Sequence, residues 1–203
     1  MSRRRFPAFA RAVLLPIFCA VALAPSWRAS ATEPAVAEQD RQFLYWASES
    51  EKADAAMNQL ALDKSQDPLI KQFARNARDE DRQRDSKLVA LSQAHHLSLP
   101  HALDAESRSL HDNIAAITGD SFDHLFMRNA VDESRKTITL YEQEAGSGKS
   151  SDIEAFVAEE LPRLQRCYEE AREAEMKLPG TEPLMSPSGV VQTHKPSPPP
   201  MPR

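Results

Sequence analysis

Hydrophobic residues recur at spacings of three and four through most of the chain, the pattern of helices that bury one face. This pattern predicts helices over about 38–64, 68–96, 104–117, 120–145 and 152–177. No run alternates between apolar and polar residues as a half-buried strand does. Four long helices, two short turns and one long crossover with its own short helix predict an all-α antiparallel four-helix bundle.

The residues at the predicted helix ends support these boundaries. Asp67 is a favourable N-cap, and Pro68 suits the first helical position, where the missing N–H costs nothing. Gly119 is expected to end the short helix, and Asp120 or Ser121 to cap the helix that follows.

The apolar stripe of the second helix is interrupted by charge within "FARNARDEDRQRDSKL", residues 73–88. Continuing the stripe through this stretch places Asp81 and Arg84 on the inner face. The other long helices also bring a polar or sulfur-containing residue to that face near mid-height. Buried charges must be paired, so we expect these groups to meet inside the bundle. The inward residues predicted on the other helices are Ser50, Asp54, Ser134, Thr137, Glu160 and Cys167.

The two ends of the chain differ in composition from the predicted bundle, which we place at residues 32–178. Residues 1–31 resemble an export signal, with a basic start, an apolar run at 12–24 and the small residues Ala29-Ser30-Ala31 at the end. The stretch "SRRRF" also resembles a twin-arginine signal, although an ordinary arginine-rich secretory signal fits as well. Residues 179–203 contain eight of the fifteen prolines and are predicted to be a disordered tail.

Charge and cysteine content narrow the classes of partner. Cleavage after Ala31 would leave 20 basic against 30 acidic residues, which argues against nucleic acid or an anionic membrane as the main partner. No transmembrane span is expected after the signal is removed. Cys167 would then be the one remaining cysteine, so it would be a buried apolar residue, a reactive thiol or the link between two chains.

Five segments in order along the chain give a resemblance to a known family. From about 43 to 174 the chain resembles the bacterial exported proteins grouped as domain of unknown function 4142, which are described as ferritin-like. The segments are "LAL" (60–62), "DPLIKQFA" (67–74), "LSLPHALDAE" (97–106), "TGDSFDHLFM" (118–127) and "FVAEELPRLQ" (156–165).

The resemblance implies a ferritin-like bundle and a site with an acid on the first helix and histidines on three later helices. In this chain the corresponding positions are Asp54, Asp81, Ser134 and Cys167, so the histidines are replaced. Asp54, Asp81 and Cys167 could still bind a transition-metal ion, but Ser is a poor ligand. The preferred expectation is a buried polar network without a metal, in which Arg84 or Arg135 neutralises the acids. Its predicted members are Asp54, Asp81, Arg84, Ser134, Arg135 and Cys167.

No complete catalytic set is present in the sequence. There is no strand-to-helix serine elbow, phosphate loop or dinucleotide-binding fingerprint. The leading hypothesis is therefore a non-enzymatic exported bundle protein of the bacterial envelope, periplasmic or secreted, with a binding, structural or stress-related role and no cofactor. The alternative is a metal-binding or redox-linked protein that uses Asp54, Asp81 and Cys167. A dimer linked through Cys167 is a further possibility.

Overall fold

A computed structural model describes residues 36–180, and these residues form five helices and no strand. The helices are α1 (Glu38–Lys64), α2 (Pro68–Ala94), α3 (Ala105–Ala115), α4 (Asp120–Ser147) and α5 (Ser151–Lys177). The predicted export signal (1–31) and the predicted tail from residue 181 onward lie outside the described residues.

The four long helices form an antiparallel bundle in which α1 packs against α2 and α4, and α5 packs against the other sides of α2 and α4. Three-residue connections join α1 to α2 and α4 to α5. The crossover between α2 and α4 contains α3, which packs against α1 and α4. The predicted all-α four-helix bundle with one short extra helix is confirmed. Within residues 36–180, no helix combines the length and apolar character needed to cross a bilayer.

Local interactions explain where the helices begin and end. The Asp67 carboxylate accepts a hydrogen bond from Leu69 N at 2.7 Å and Pro68 opens α2, as predicted. That helix ends two residues earlier than expected, because His96 takes a left-handed conformation with φ of 54°. The predicted caps of α4 were wrong: the helix begins at Asp120 itself, and Gly119 before it has φ of 66°, which glycine adopts without strain.

The apolar core is divided into two clusters. One lies toward the end where α1 joins α2, and the other lies toward the end where α4 joins α5. Polar residues of α1 and α2 lie between them, at mid-height of the bundle. The first cluster is centred on Ile70, Phe122, Phe126 and Met127, and the second on Phe43, Leu44, Leu88, Tyr141 and Phe156.

A buried aspartate fastens the turn between α4 and α5 to the start of α1. Asp40 is fully buried, and its carboxylate accepts hydrogen bonds from Lys149 N at 2.9 Å and from the Ser150 hydroxyl. Burial raises the pKa of Asp40, but these hydrogen bonds outweigh it and hold the pKa below its ordinary value. Beside it, Gln39 donates to the buried carboxyl of Glu144 at 3.2 Å. Together, these hydrogen bonds close the end of the bundle at which α4 joins α5.

We expect Asp40→Ala to lower the free energy of unfolding by about 1–3 kcal/mol, because it leaves the Lys149 amide and the Ser150 hydroxyl without their acceptor. Glu38→Ala is the matched control, since Glu38 is an exposed acid in the same turn of α1. It should change the free energy by less than about 0.5 kcal/mol. Denaturant titration of both variants measures the difference, and equal effects would contradict the assigned role of Asp40.

Candidate functional site

The polar layer between the two core clusters is built from one face of α1 and one face of α2. Glu51 and Asn58 lie seven residues apart on α1, and Asp81 and Arg84 lie three residues apart on α2. Both spacings place the two side chains on the same side of a helix. All four residues are buried.

Arg84 is the centre of this layer. Its Nε donates to Glu51 Oε1 at 2.5 Å, and its Nη2 donates to Asp81 Oδ1 at 2.8 Å. Asn58 donates to the second oxygen of Asp81 at 2.9 Å. The side chains of Arg84, Glu51 and Asp81 are only 4%, 2% and 8% exposed. The guanidinium therefore links α1 to α2 through charge-assisted hydrogen bonds that water hardly reaches.

A third carboxyl, that of Asp54, shares this environment, so three acids face one arginine. Burial raises the pKa of Glu51 to about 8 and that of Asp81 to about 6, although Arg84 opposes both shifts. Burial, reinforced by Asp81 and Glu51, also raises the pKa of Asp54 well above its ordinary value. At neutral pH the layer has no net charge when Asp81 is ionised beside Arg84 and both Glu51 and Asp54 keep their protons.

Five of the six predicted network residues lie around one small cavity of about 40 Å³. Asp81 and Arg84 form the ion pair, whereas Ser134 and Cys167 are half-buried on α4 and α5 and make no hydrogen bond to either residue. Asn58 and Leu164 also line this cavity. The five residues that the structure brings together are Asp54, Asp81, Arg84, Ser134 and Cys167.

The predicted role of Arg135 was wrong. Its side chain is 62% exposed, and its guanidinium lies 3.6 Å from Asp132 and over the ring of Tyr168. Ser134 and Thr137 already occupy the inner side of this part of α4, so the helix turns Arg135 outward. Of the two arginines that the prediction offered for neutralising the acids, Arg84 is the one that lies among them.

Sequence reasoning missed Glu51, the closest partner of Arg84. The prediction placed Ser50 on the inner face instead, and the Ser50 hydroxyl does approach the Thr137 hydroxyl at 2.8 Å. A signal for Glu51 was present, because Leu44, Ala47 and Glu51 follow one another at spacings of three and four. The buried face of α1 is wide enough here to include both Ser50 and Glu51.

Cys167 is half-buried, and burial raises the pKa of its thiol to about 11. At neutral pH it is therefore a thiol, whereas nucleophilic attack requires the thiolate. Within residues 36–180, no three His, Cys, Asp or Glu side chains stand close enough together to share a metal ion. Asp54, Asp81 and Cys167 thus line one cavity without forming a ligand cluster.

A larger cleft of about 330 Å³ lies where α3 packs against α1 and α4. Glu49 and Trp46 of α1, Asp104 before α3 and Glu133 of α4 are among its lining residues. Asp54 lines both this cleft and the small central cavity, together with Met57 and Thr137. The cleft therefore leads from the surface to the edge of the buried polar layer.

Comparison with known proteins agrees with the fold and the resemblance. The family model described as "Domain of unknown function (DUF4142)" matches residues 26–174. The chain belongs to this family. A crystal structure of a DUF305 fragment from Deinococcus radiodurans is similar to this DUF4142 chain with a TM-score of 0.65. The match covers 71% of this chain and 100% of the fragment at 10% identity, so it supports the fold alone. A search of curated proteins found no match.

We expect Arg84→Met to lower the free energy of unfolding by about 3–5 kcal/mol, because it leaves the Asp81 carboxylate buried without a counter-charge. Arg135→Met is the matched control and should cost less than about 1 kcal/mol, since its ion pair is exposed. Denaturant unfolding at pH 7 gives both values. A similar small loss for the two variants would show that Arg84 does not hold the layer together.

Stability should fall as the pH rises from about 5 to 8. A carboxyl with a raised pKa binds more protons in the folded chain than in the unfolded chain, so folding is favoured at the lower pH. For Glu51 the affected range lies between its ordinary pKa of 4.5 and about 8. Glu51→Gln should remove up to about 1.4 kcal/mol per pH unit of this slope.

The slope is measured by urea unfolding at several pH values, with Glu169→Gln as control because Glu169 is exposed on α5. A slope that is the same in Glu51→Gln and the unaltered protein would refute the buried, protonated state of Glu51.

Proposed function

We propose that this DUF4142 protein is a non-enzymatic, exported binding or structural protein of the bacterial envelope. The observation that supports a non-enzymatic role is the position of Arg84, whose guanidinium stands between Glu51 and Asp81. The resemblance to the family implies a site of acid and imidazole groups in this part of the bundle. Here a side chain of the protein itself supplies the positive charge.

The chemistry of the neighbouring groups supports the same proposal. Cys167 is held as a thiol, and Ser134 is neutral. A bound cation at Asp81 would face the fixed charge of Arg84 at close range, and like charges in a buried site repel strongly. These features disfavour the metal-binding or redox-linked alternative, in which Asp54, Asp81 and Cys167 would be the ligands.

Export to the periplasm or the exterior is proposed from the sequence of residues 1–31, with its arginines, apolar run and small residues before residue 32. The proline-rich tail at residues 179–203 stays a prediction from the sequence. The dimer through Cys167 stays a prediction, and a stress-related role is one form that the binding function could take.

Metal content tests the proposal directly. Protein purified without a histidine tag should contain iron, zinc and copper well below one ion per chain by elemental analysis. Arg84→Met, if it folds, serves as the comparison, because it removes the charge that opposes a cation at Asp81 and should bind more added Zn²⁺. One tightly bound ion per unaltered chain would overturn the proposal in favour of the metal-dependent alternative.

A further inference from the structure

We propose that the cleft between α1, α3 and α4 binds a small aliphatic polyamine, a flexible chain with ammonium groups at separated positions. The proposal goes beyond the envelope role, since it depends on the cleft alone and not on where the protein works. It rests on the charge of the lining, on a buried carboxyl oxygen without a hydrogen bond and on the mixture of apolar and acidic walls.

The lining of the cleft is strongly acidic. Five carboxyl groups face one ammonium group, that of Lys136, which is already 2.7 Å from Glu133 Oε1. His111 also lines the cleft, and its ring lies 3.1 Å from the Asp112 carboxylate. The surplus of negative charge attracts cationic ligands and repels anions. The five acids are Glu49, Asp54, Asp104, Glu106 and Glu133.

Glu49 is the observation that points to a ligand. It is only 7% exposed, it lines the cleft, and its Oε2 accepts no hydrogen bond. Burial, followed by the nearby Asp104 carboxylate, raises its pKa. The Asp104 backbone N–H donates to the Glu49 carboxyl and opposes this shift, but it leaves Oε2 unpaired. A buried carboxyl oxygen without a donor costs free energy that an ammonium group would recover by donating to it. Trp46, on the previous turn of α1, adds an aromatic ring of the kind that attracts cations.

The distribution of the acids favours a polyamine over a metal ion. No three of the described acids stand close enough to coordinate one ion, whereas separated ammonium groups can each reach a different carboxylate. Between the acids the wall is apolar, with Met57, Leu103 and Leu110 among its residues. Methylene segments would bury against this wall, and a hydrated metal ion gains nothing from it.

Asp54, at the inner end of the cleft, offers a second carboxyl that an extended cationic ligand could reach. Asp54 belongs both to the cleft and to the central cavity, and it is the third acid beside a single arginine. An ammonium group that reaches Asp54 would complete the charge balance that the protein otherwise reaches by keeping that carboxyl protonated. A ligand with one cation at Glu49 and another at Asp54 would satisfy both groups at once.

Isothermal titration calorimetry of the full chain with spermidine tests the proposal, at physiological ionic strength so that unspecific attraction is screened. We expect saturable binding at one site per chain and at least a tenfold loss of affinity in Glu49→Gln and in Glu133→Gln. Glu106→Gln, an exposed residue on α3, should weaken binding several-fold without affecting folding. Glu169→Gln, an exposed acid on α5 outside the cleft, should bind as the unaltered protein does. Spermidine should also change the tryptophan fluorescence of the unaltered protein, and this change should be absent in Trp46→Phe.

Three results would overturn the proposal. The first is no measurable heat at millimolar spermidine. The second is an equal loss of affinity in Glu169→Gln and Glu49→Gln, which would show general attraction to an acidic surface. The third is full displacement of spermidine by Mg²⁺ at matched ionic strength, which would show that point charge alone is recognised. If Glu49→Gln melts at a lower temperature than the unaltered protein, the result from Glu106→Gln decides the question.

Discussion

The burial of Arg84 is the constraint on which the centre of this bundle depends. A guanidinium in an apolar interior needs acceptors, and here Glu51 on α1 accepts from Nε and Asp81 on α2 accepts from Nη2. The third nitrogen, Nη1, is buried without an acceptor among the described residues. The two apolar clusters on either side exclude water from this layer, which strengthens the ion pair and raises the cost of any unpaired group. The helix pair α1–α2 is thus held together by contacts that also restrict its register.

The same constraint governs the chemistry of the interior. One arginine cannot neutralise three carboxylates, so Glu51 and Asp54 have raised pKa values and the layer is balanced by protons. A protein that used this position for metal chemistry would need the acids ionised and the arginine elsewhere. This charge balance is one support for the proposed binding or structural role, and the acidic cleft beside Asp54 is the part of this region that is open to the surface.

Much of the candidate site could be predicted from the sequence, because charges on an apolar stripe are visible in the pattern. Asp81 and Arg84 interrupt the α2 stripe, and Asp54, Ser134 and Cys167 do meet them around one cavity. Glu51 and Arg135 show the limit of this reasoning. Each lies at the edge of a helix face, where a rotation of some tens of degrees decides between core and solvent, and only packing sets that rotation.

Local patterns were enough to predict the helices and their order, because helical periodicity and capping are local properties. The same patterns predicted that polar groups would be buried, and five short segments were enough to indicate the family. Tertiary packing set the rest: which groups pair, that Asp40 fastens the distant turn at Lys149, and that α3 folds over α1 and α4 to form a cleft. Those contacts join residues far apart in the chain, and their geometry depends on how whole helices pack, which no local pattern specifies.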